Sequence, residues 1–330
     1  MTILTRSAAL AALLAAALLA PSAAAQRDFS DVEITTVPVA GGISMLQGAG
    51  GNIGVSAGRD GLLIVDDQFA PLSERIRKAL DALGTGGPRY ILNTHFHGDH
   101  TGGNAFFGKD GTIVAHENVR TRLMQPRDTA GQHEDAAPPE ALPVITFRQS
   151  VSLHWNGEEI RVIHLPPGHT DGDAIVWFTG SNVVHLGDHF FAGKFPFIDL
   201  GGGGDVLGYM HNVDLLVAKL PPDAKLIPGH GPLSTMDDLK AFEHMLQVTI
   251  GIVKGSLMAG RTLEQVQAEG LPPEWASWGT GFVDTARWLQ IVYDGLKRSP
   301  DGPATGEAPD LGPPPAAPAA PAPPAKPAGR

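Results

Sequence analysis

The stretch NTHFHGDHTGG, residues 93–103, places three histidines and one aspartate within six positions. In an extended segment, residues two apart face the same side, so His95 and His97 can bind one metal ion. Asp99 and His100 follow where the chain turns, and they can reach a second ion. Neutral imidazole and carboxylate groups are ligands that suit Zn²⁺. The stretch therefore predicts part of a metal site, whose remaining ligands must come from elsewhere in the chain.

Three further stretches show an apolar, strand-like run that ends in a glycine-containing turn beside a histidine or an aspartate. They are PPGHTDGD with His169, HLGDHFF with Asp188 and IPGHG with His230. Glycine lets the backbone turn sharply and lets a second group approach closely. Because one tetrahedral ion uses four ligands, the seven candidates indicate two ions. Two ions about 3.5–4 Å apart can share a bridging hydroxide and support a hydrolytic displacement.

The surrounding sequence predicts an α/β protein with its site on the rim of a sheet. Residues 34–65 are rich in Val, Ile and Gly and predict short strands, and residues 72–83 have the apolar spacing of an amphipathic helix. Residues 90–92 predict a strand that leads into the first histidine stretch. The rest of the pattern is a polar excursion loop over 125–143, strands within 145–184, a helix over about 206–220, a strand at 225–227 and helices to about 296.

The histidine and aspartate stretches, taken in order, resemble the signature of the metallo-β-lactamase-fold superfamily. The matching elements are H-x-H-x-D-H, then GH, GD and PGHG, and the resemblance extends from about Gly41 to about His244. It implies an αββα sandwich, in which two mixed β-sheets lie face to face with helices outside and the metals at one edge.

The resemblance also implies a role for each residue of the signature. Asp188 would bridge two zinc ions, and Asp99 would in addition position the nucleophile or accept its proton. Asp66, at the end of GLLIVDD, matches a strand-end acid that we expect to orient a ligand histidine rather than to bind metal. The remaining ligands would be His95, His97 and His169 on the first ion, with Asp99, His100 and His230 on the second.

Two residues are candidates for substrate contact. Lys194 follows the bridging aspartate and could pair with a substrate carboxylate, although a solvated lysine is an equal alternative. Tyr209 could reach a carbonyl oxygen with its phenol, or it could simply pack. Residues 195–204, which end in a glycine run interpreted as flexible, could form a rim loop over the site. His185 and His189 flank Asp188 but match no ligand position.

The superfamily does not determine the substrate. The chain has no cysteine, which one lactamase group uses as a ligand, and a bridging aspartate resembles sites of the lactonase and glyoxalase-II type. We expect a zinc hydrolase of a cyclic amide or ester, of β-lactam or lactone type, with two Zn²⁺ ions. The alternatives are a thioester hydrolase of glyoxalase-II type, whose basic glutathione pocket is not evident, and an iron-dependent redox or sulfur enzyme. Retention of both His100 and His230 favours two hydrolytic metals.

Both ends of the chain are predicted to lie outside a catalytic domain at residues 28–299. Arg6, an apolar run over 7–20 and the alanines at 23–25 predict a signal peptide of residues 1–25, and therefore a periplasmic or secreted protein. An uncleaved N-terminal anchor is the alternative. Residues 300–330 are mostly Pro, Ala and Gly, which predicts a disordered tail.

The formal net charge of −11, without a basic stretch, argues against a nucleic-acid or anionic-lipid partner. The absence of cysteine excludes disulfides, so the stability must come from the core. We expect a small-molecule substrate, no nucleic acid, no stable membrane insertion after signal cleavage and no partner protein.

Overall fold

The computed structural model describes residues 28–129, 132–299 and 309–312. The predicted signal peptide and most of the predicted tail lie outside the described residues. All helices and strands below belong to one compact unit that begins at Val32. In the part of the chain that is described, no helix is long and apolar enough to span a membrane.

The strands of the described chain are, in order, β1 (Thr35–Ala40), β2 (Ile43–Gln47), β3 (Ile53–Gly58), β4 (Gly61–Val65), β5 (Pro88–Leu92), β6 (Thr112–His116), β7 (Arg127–Thr129), β8 (Gln132–Glu134), β9 (Ile145–Phe147), β10 (Ser150–Trp155), β11 (Glu158–His164), β12 (Ala174–Phe178), β13 (Val183–His185) and β14 (Lys225–Ile227). The α-helices are α1 (Ser73–Asp81), α2 (Gly98–Thr101), α3 (Asn104–Phe107), α4 (Glu117–Leu123), α5 (Val206–Lys219), α6 (Met236–Met258), α7 (Leu263–Glu269) and α8 (Thr285–Arg298). Short 3₁₀ helices cover Ala70–Leu72, Pro139–Ala141, Gly187–His189 and Pro273–Thr280.

Two mixed sheets form the centre of the fold. The first has the strand order β1-β2-β3-β4-β5-β6-β9 and the second the order β10-β11-β12-β13-β14. In the first sheet, β1 to β4 pair antiparallel and β4, β5, β6 and β9 pair parallel. In the second, the pairs are antiparallel up to β13, which pairs parallel with β14. The prediction of an α/β fold with two mixed sheets is confirmed.

The core explains why the sheets face each other. One apolar cluster contains Val65 and Leu92 from the first sheet together with Val162 and Val176 from the second. A second cluster joins the opposite face of the second sheet, including Trp177, to the long C-terminal helices. Because alternate residues of a strand point to opposite faces, the two clusters lie on either side of the second sheet, as an αββα sandwich requires.

Two segments differ from the sequence prediction. The supposed excursion loop contains the β7–β8 hairpin and the 3₁₀ helix Pro139–Ala141. The strands of this hairpin are polar and are joined by ion pairs such as Arg127 with Glu134. The sequence therefore shows no alternation of apolar residues there that would predict strands. Residues 309–312 lie against the folded unit, with Leu311 only 5% exposed and its carbonyl accepting from Arg161 at 3.1 Å. Leu311 is the one large apolar residue of the predicted tail, which explains its burial.

Candidate metal centre

The seven predicted ligands converge because strand ends meet at one edge of the sandwich. His95 and His97 follow β5, and α2 then carries Asp99 and His100. The other three ligands also lie just beyond the C-terminal ends of strands, namely His169 after β11, Asp188 after β13 and His230 after β14. The fold therefore delivers ligands from distant parts of the sequence to one place.

The ligand atoms form two groups. The first comprises His95, His97, His169 and Asp188, whose ligand atoms all lie within 4.8 Å of one another. The second comprises Asp99, His100 and His230, within the same limit. The structure thus divides the seven residues as the resemblance implied.

Asp188 lies between the two groups. Its Oδ2 atom is 3.4 Å from His169 Nε2 in the first group and 3.5 Å from His230 Nε2 in the second. Its Oδ1 atom is 3.1 Å from His100 Nε2. A single carboxylate in contact with both groups has the position that a bridging ligand needs.

The spacing fits tetrahedral coordination. Ligand atoms placed tetrahedrally at about 2.0–2.1 Å from zinc are separated from one another by about 3.3–3.4 Å. In the second group, His230 Nε2 lies 3.4 Å from Asp99 Oδ2 and 3.4 Å from His100 Nε2. In the first group, the nitrogens of His97 and His169 lie 2.9 Å apart, and His95 Nε2 is 3.8 Å from Asp188. Both groups are therefore compact enough to enclose an ion.

Two buried atoms point to the same conclusion. Among the described residues, His95 Nε2 and Asp188 Oδ1 have no well-oriented hydrogen-bond partner, although His100 lies close to the latter. Buried polar atoms normally have a hydrogen-bond partner, so the lack of one here indicates that both atoms bind a ligand such as a metal ion. Bound divalent ions would satisfy them, and the donor set of imidazoles and carboxylates suits such ions.

The electrostatic state of the first group also suits a cation. Burial, reinforced by the charge of His100, holds the pKa of His95 well below its ordinary value, so the imidazole is neutral and has a free lone pair. Although burial opposes ionisation of Asp188, the neighbouring histidines, His100 foremost, hold its pKa well below the usual value. Neutral histidine and ionised aspartate are the forms that bind metal.

Asp66 lies where the sequence prediction placed it. Its Oδ2 atom is 2.8 Å from His100 Nδ1, and its carboxylate accepts from the backbone and hydroxyl of Thr94 at 2.8 and 2.7 Å. These contacts leave His100 Nε2 directed at the second group. Asp66 thus orients His100, a candidate ligand, and lies outside both candidate ligand groups.

Two further supporting contacts escaped the sequence analysis. Asp199 Oδ2 lies 3.0 Å from His97 Nε2, which turns His97 Nδ1 toward the first group. The backbone carbonyl of Phe197 lies 2.6 Å from His169 Nδ1. Both partners follow Asp188 in an irregular segment. No sequence signal could have found them, because the segment has neither a motif nor a regular period.

The glycine run at 201–204 also differs from its predicted role. The backbone N–H of Gly202 donates to Asp199 Oδ1 at 2.9 Å, and that of Gly204 to the Asp199 carbonyl at 2.8 Å. A Cβ atom on Gly202 would lie 2.5 Å from Asp199 Oδ2. The run is therefore a tight cradle around Asp199 rather than a flexible rim.

The two predicted substrate contacts have different outcomes. Tyr209 is fully buried, stacks on His189, and its hydroxyl donates to the backbone carbonyl of Asp188 at 2.8 Å. The prediction of a substrate contact by Tyr209 is therefore wrong, because α5 directs its ring into the core. The ammonium group of Lys194 donates to Thr280 Oγ1, and its contact with a substrate stays a prediction.

Solvent reaches the centre from one side. The side chains of Asp99 and His230 are 27% and 28% exposed, whereas those of Asp188 and the other ligand histidines are at most 5% exposed. A substrate would therefore approach the second group first, with Asp99 at the opening.

The sequence model of the metallo-beta-lactamase superfamily matches residues 50–230, more than half of the 330 residues. The chain belongs to this superfamily. All seven ligand candidates fall within the matched range, as does Asp66.

Individual curated proteins share modest identity with the chain. It is 25% identical over 143 residues to the metallo-beta-lactamase type 2 of Bacteroides fragilis, which covers 43% of this chain and 52% of that protein. It is 27% identical over 147 residues to a hydroxyacylglutathione hydrolase of Pelagibacter ubique, covering 43% and 51%. The chain thus spans about half the length of these curated relatives. The crystal structure of the DIM-1 metallo-beta-lactamase shares the fold, with a TM-score of 0.55, 18% identity and coverage of 66% of this chain and 100% of that one.

Proposed function

We propose that the protein is a hydrolase that uses two zinc ions to cleave a cyclic amide or ester of β-lactam or lactone type. The observation that carries the proposal is the position of Asp188, whose carboxylate contacts His169 of one ligand group and His100 and His230 of the other. A centre with a single ion would have no use for the second, partly exposed group.

In this proposal the chain's own residues hold, orient and shield the reacting groups. When bound, the ions would supply a nucleophilic water at neutral pH and polarise the scissile carbonyl. Asp99, 3.4 Å from His230 and open to solvent, is positioned to orient that water and accept its proton. Asp66 and Asp199 hold His100 and His97 in fixed orientations.

A second candidate is hydrolysis of a thioester. The similarity to hydroxyacylglutathione hydrolases supports it, since one from Anaeromyxobacter dehalogenans is 33% identical over 107 residues. The similarity to the Bacteroides fragilis lactamase supports the cyclic amide. Both substrate classes present a carbonyl that the same arrangement of residues would serve.

We also propose that the protein is exported and acts on a small molecule. The signal-peptide pattern of residues 1–25 supports export, and the negative net charge of −11 speaks against a nucleic-acid substrate.

Metal analysis of the purified protein and a hydrolysis panel test the proposal. We expect two zinc ions per chain and activity on at least one of a cephalosporin, a penicillin, a carbapenem, an acyl-homoserine lactone or a thioester, with an aryl phosphate as the contrasting substrate. One iron ion per chain would contradict zinc hydrolysis. Preferred cleavage of the thioester would support the second candidate. In Asp188→Ala we expect metal and activity to be lost together, and a variant that kept two zinc ions and the full rate would refute the bridging role.

A further inference from the structure

Aromatic side chains extend from the first ligand group to the protein surface. The ring centre of Phe197 lies 5.9 Å from that of His97 and 6.1 Å from that of His169. Phe282 packs edge-on against Phe197, with ring centres 6.0 Å apart at an angle of 81°. Phe282 is 63% exposed, which is unusual for so large an apolar side chain. The two rings therefore form a continuous aromatic contact from the ligand histidines to the protein surface.

The guanidinium group of Arg287 lies over both rings. Its central carbon is 4.3 Å from the ring centre of Phe282 and 5.3 Å from that of Phe197. The side chain is half-buried, and within residues 28–129, 132–299 and 309–312 it forms no ion pair or side-chain hydrogen bond. The backbone N–H of Arg287 donates to Asp284 Oδ1 at 2.8 Å. A guanidinium group offers five donors in a planar fork that matches a carboxylate, and no described residue accepts from them.

The position of Arg287 suits one end of a small molecule whose other end reaches the metal centre. Because Phe197 lies between them at 5.3 Å and 5.9 Å, the guanidinium carbon is at most about 11 Å from the ring centre of His97. Lys194, the candidate cation of the sequence analysis, already donates to Thr280. Within the described residues, Arg287 therefore lies beside the site with its side-chain donors available, and it lies outside the superfamily match at residues 50–230.

We propose that Arg287, Phe197 and Phe282 form a subsite for a substrate that carries a carboxylate next to an aromatic or other apolar group. Arg287 binds the carboxylate through its planar fork, and the two rings contact the apolar part. The inference rests on the proposed hydrolase function and narrows its substrate to anionic molecules. It assigns Arg287 a binding role, with no part in the bond-breaking step.

Ligand binding tests the subsite without requiring turnover. The probe is phenylacetate, with phenylacetamide as the neutral match, titrated calorimetrically into the zinc-loaded full chain. We expect the acid to bind about 10- to 100-fold more tightly than the amide, the effect of a charge-assisted pair. Arg287→Met should abolish this preference. Phe282→Ala, at an exposed position, should weaken the binding of phenylacetate. Lys297→Met removes the same charge from the same helix and should change nothing. Direct binding of the acid to zinc would leave the preference intact in Arg287→Met, which would overturn the proposal.

Kinetics with a chromogenic cephalosporin and its carboxyl methyl ester provide the second measurement. We expect Arg287→Met to raise KM for the acid about 10- to 100-fold with kcat unchanged, and to leave the ester unaffected. Equal losses on both substrates would show that Arg287 only supports the fold and would overturn the subsite. Absence of hydrolysis together with Arg287-dependent binding of phenylacetate would refute the proposed hydrolysis and support the subsite.

Discussion

Replacing Asp199 is predicted to weaken metal binding through His97 while leaving the fold intact. The carboxylate makes two contacts, to His97 Nε2 at 3.0 Å and to the N–H of Gly202 at 2.9 Å. Although burial opposes its ionisation, the contact with His97 holds the pKa of Asp199 below the ordinary value, so the His97 hydrogen bond is charge-assisted. Its backbone bonds to His169 and Gly204 do not depend on the side chain.

The expected losses of metal affinity and of stability follow from these contacts. Loss of a partner that orients a ligand histidine typically lowers metal affinity about 10- to 100-fold, or about 1.4–2.8 kcal/mol. We expect this for Asp199→Ala, with a further loss of about 1–3 kcal/mol in the unfolding free energy of the metal-free chain, because His97 and Gly202 lose a partner. Asp199→Asn keeps an acceptor oxygen without its charge and should show a smaller loss of affinity.

Zinc affinity, measured by competition with a chromophoric chelator, and urea unfolding of the metal-free protein check the prediction. Asp60→Ala is the matched control, because Asp60 also accepts a backbone hydrogen bond, from Asn156 at 2.7 Å, but has no contact with a ligand residue. Asp60→Ala should lower the unfolding free energy and leave the zinc affinity unchanged. Unchanged zinc affinity in Asp199→Ala, or an equal loss in Asp60→Ala, would refute the reasoning.

Three further predictions concern close packing, the buried tyrosine and pH. Gly51→Ala places a Cβ atom 2.1 Å from His100 Cε1 and should displace the ring, abolishing binding of one of two metal ions; Gly251→Ala, with nothing within 4 Å, should keep both ions in the same metal analysis. Tyr209→Phe removes one buried hydroxyl, so we expect about 1–3 kcal/mol less stability in urea and an unchanged KM; a raised KM would restore Tyr209 as a substrate contact. Burial lowers the pKa of His164 to about 4 from an ordinary 6.5, so the unfolded chain binds the proton first and stability is lost as the pH falls from about 6.5 to 4. His164→Gln should reduce this slope in urea unfolding at pH 7 and 5, and an unchanged slope would refute the assignment.

The parts of the site that the sequence predicted are those carried by local patterns. His95, His97, Asp99 and His100 share one short stretch, and the other ligands each stand in a glycine-containing turn after an apolar run. The close approach expected of such glycines is seen at Gly229, where a Cβ atom would lie 2.0 Å from Asp188 Oδ1. Sequence composition likewise predicted the strands, because buried strands need apolar residues, whereas their arrangement in two facing sheets came from the family resemblance.

The parts that escaped prediction depend on contacts between distant segments. Asp199 and His97 are 102 positions apart, and nothing near either residue signals their hydrogen bond. Tyr209 was a candidate substrate contact because a phenol can reach a carbonyl oxygen, but the orientation of α5 buries its ring. Arg287 lies beside the metal centre only because the C-terminal helices place it over Phe197. Tertiary packing determines the position of each of these residues, and a local sequence pattern does not reveal tertiary packing.

The most direct test of the central claim is a crystal structure of the zinc-loaded protein with anomalous scattering recorded at the zinc edge. We predict two peaks about 3.5–4 Å apart, with Asp188 in contact with both. One peak should lie among His95, His97 and His169, and the other among Asp99, His100 and His230. A single peak at full zinc loading, or two peaks that Asp188 does not join, would contradict the account.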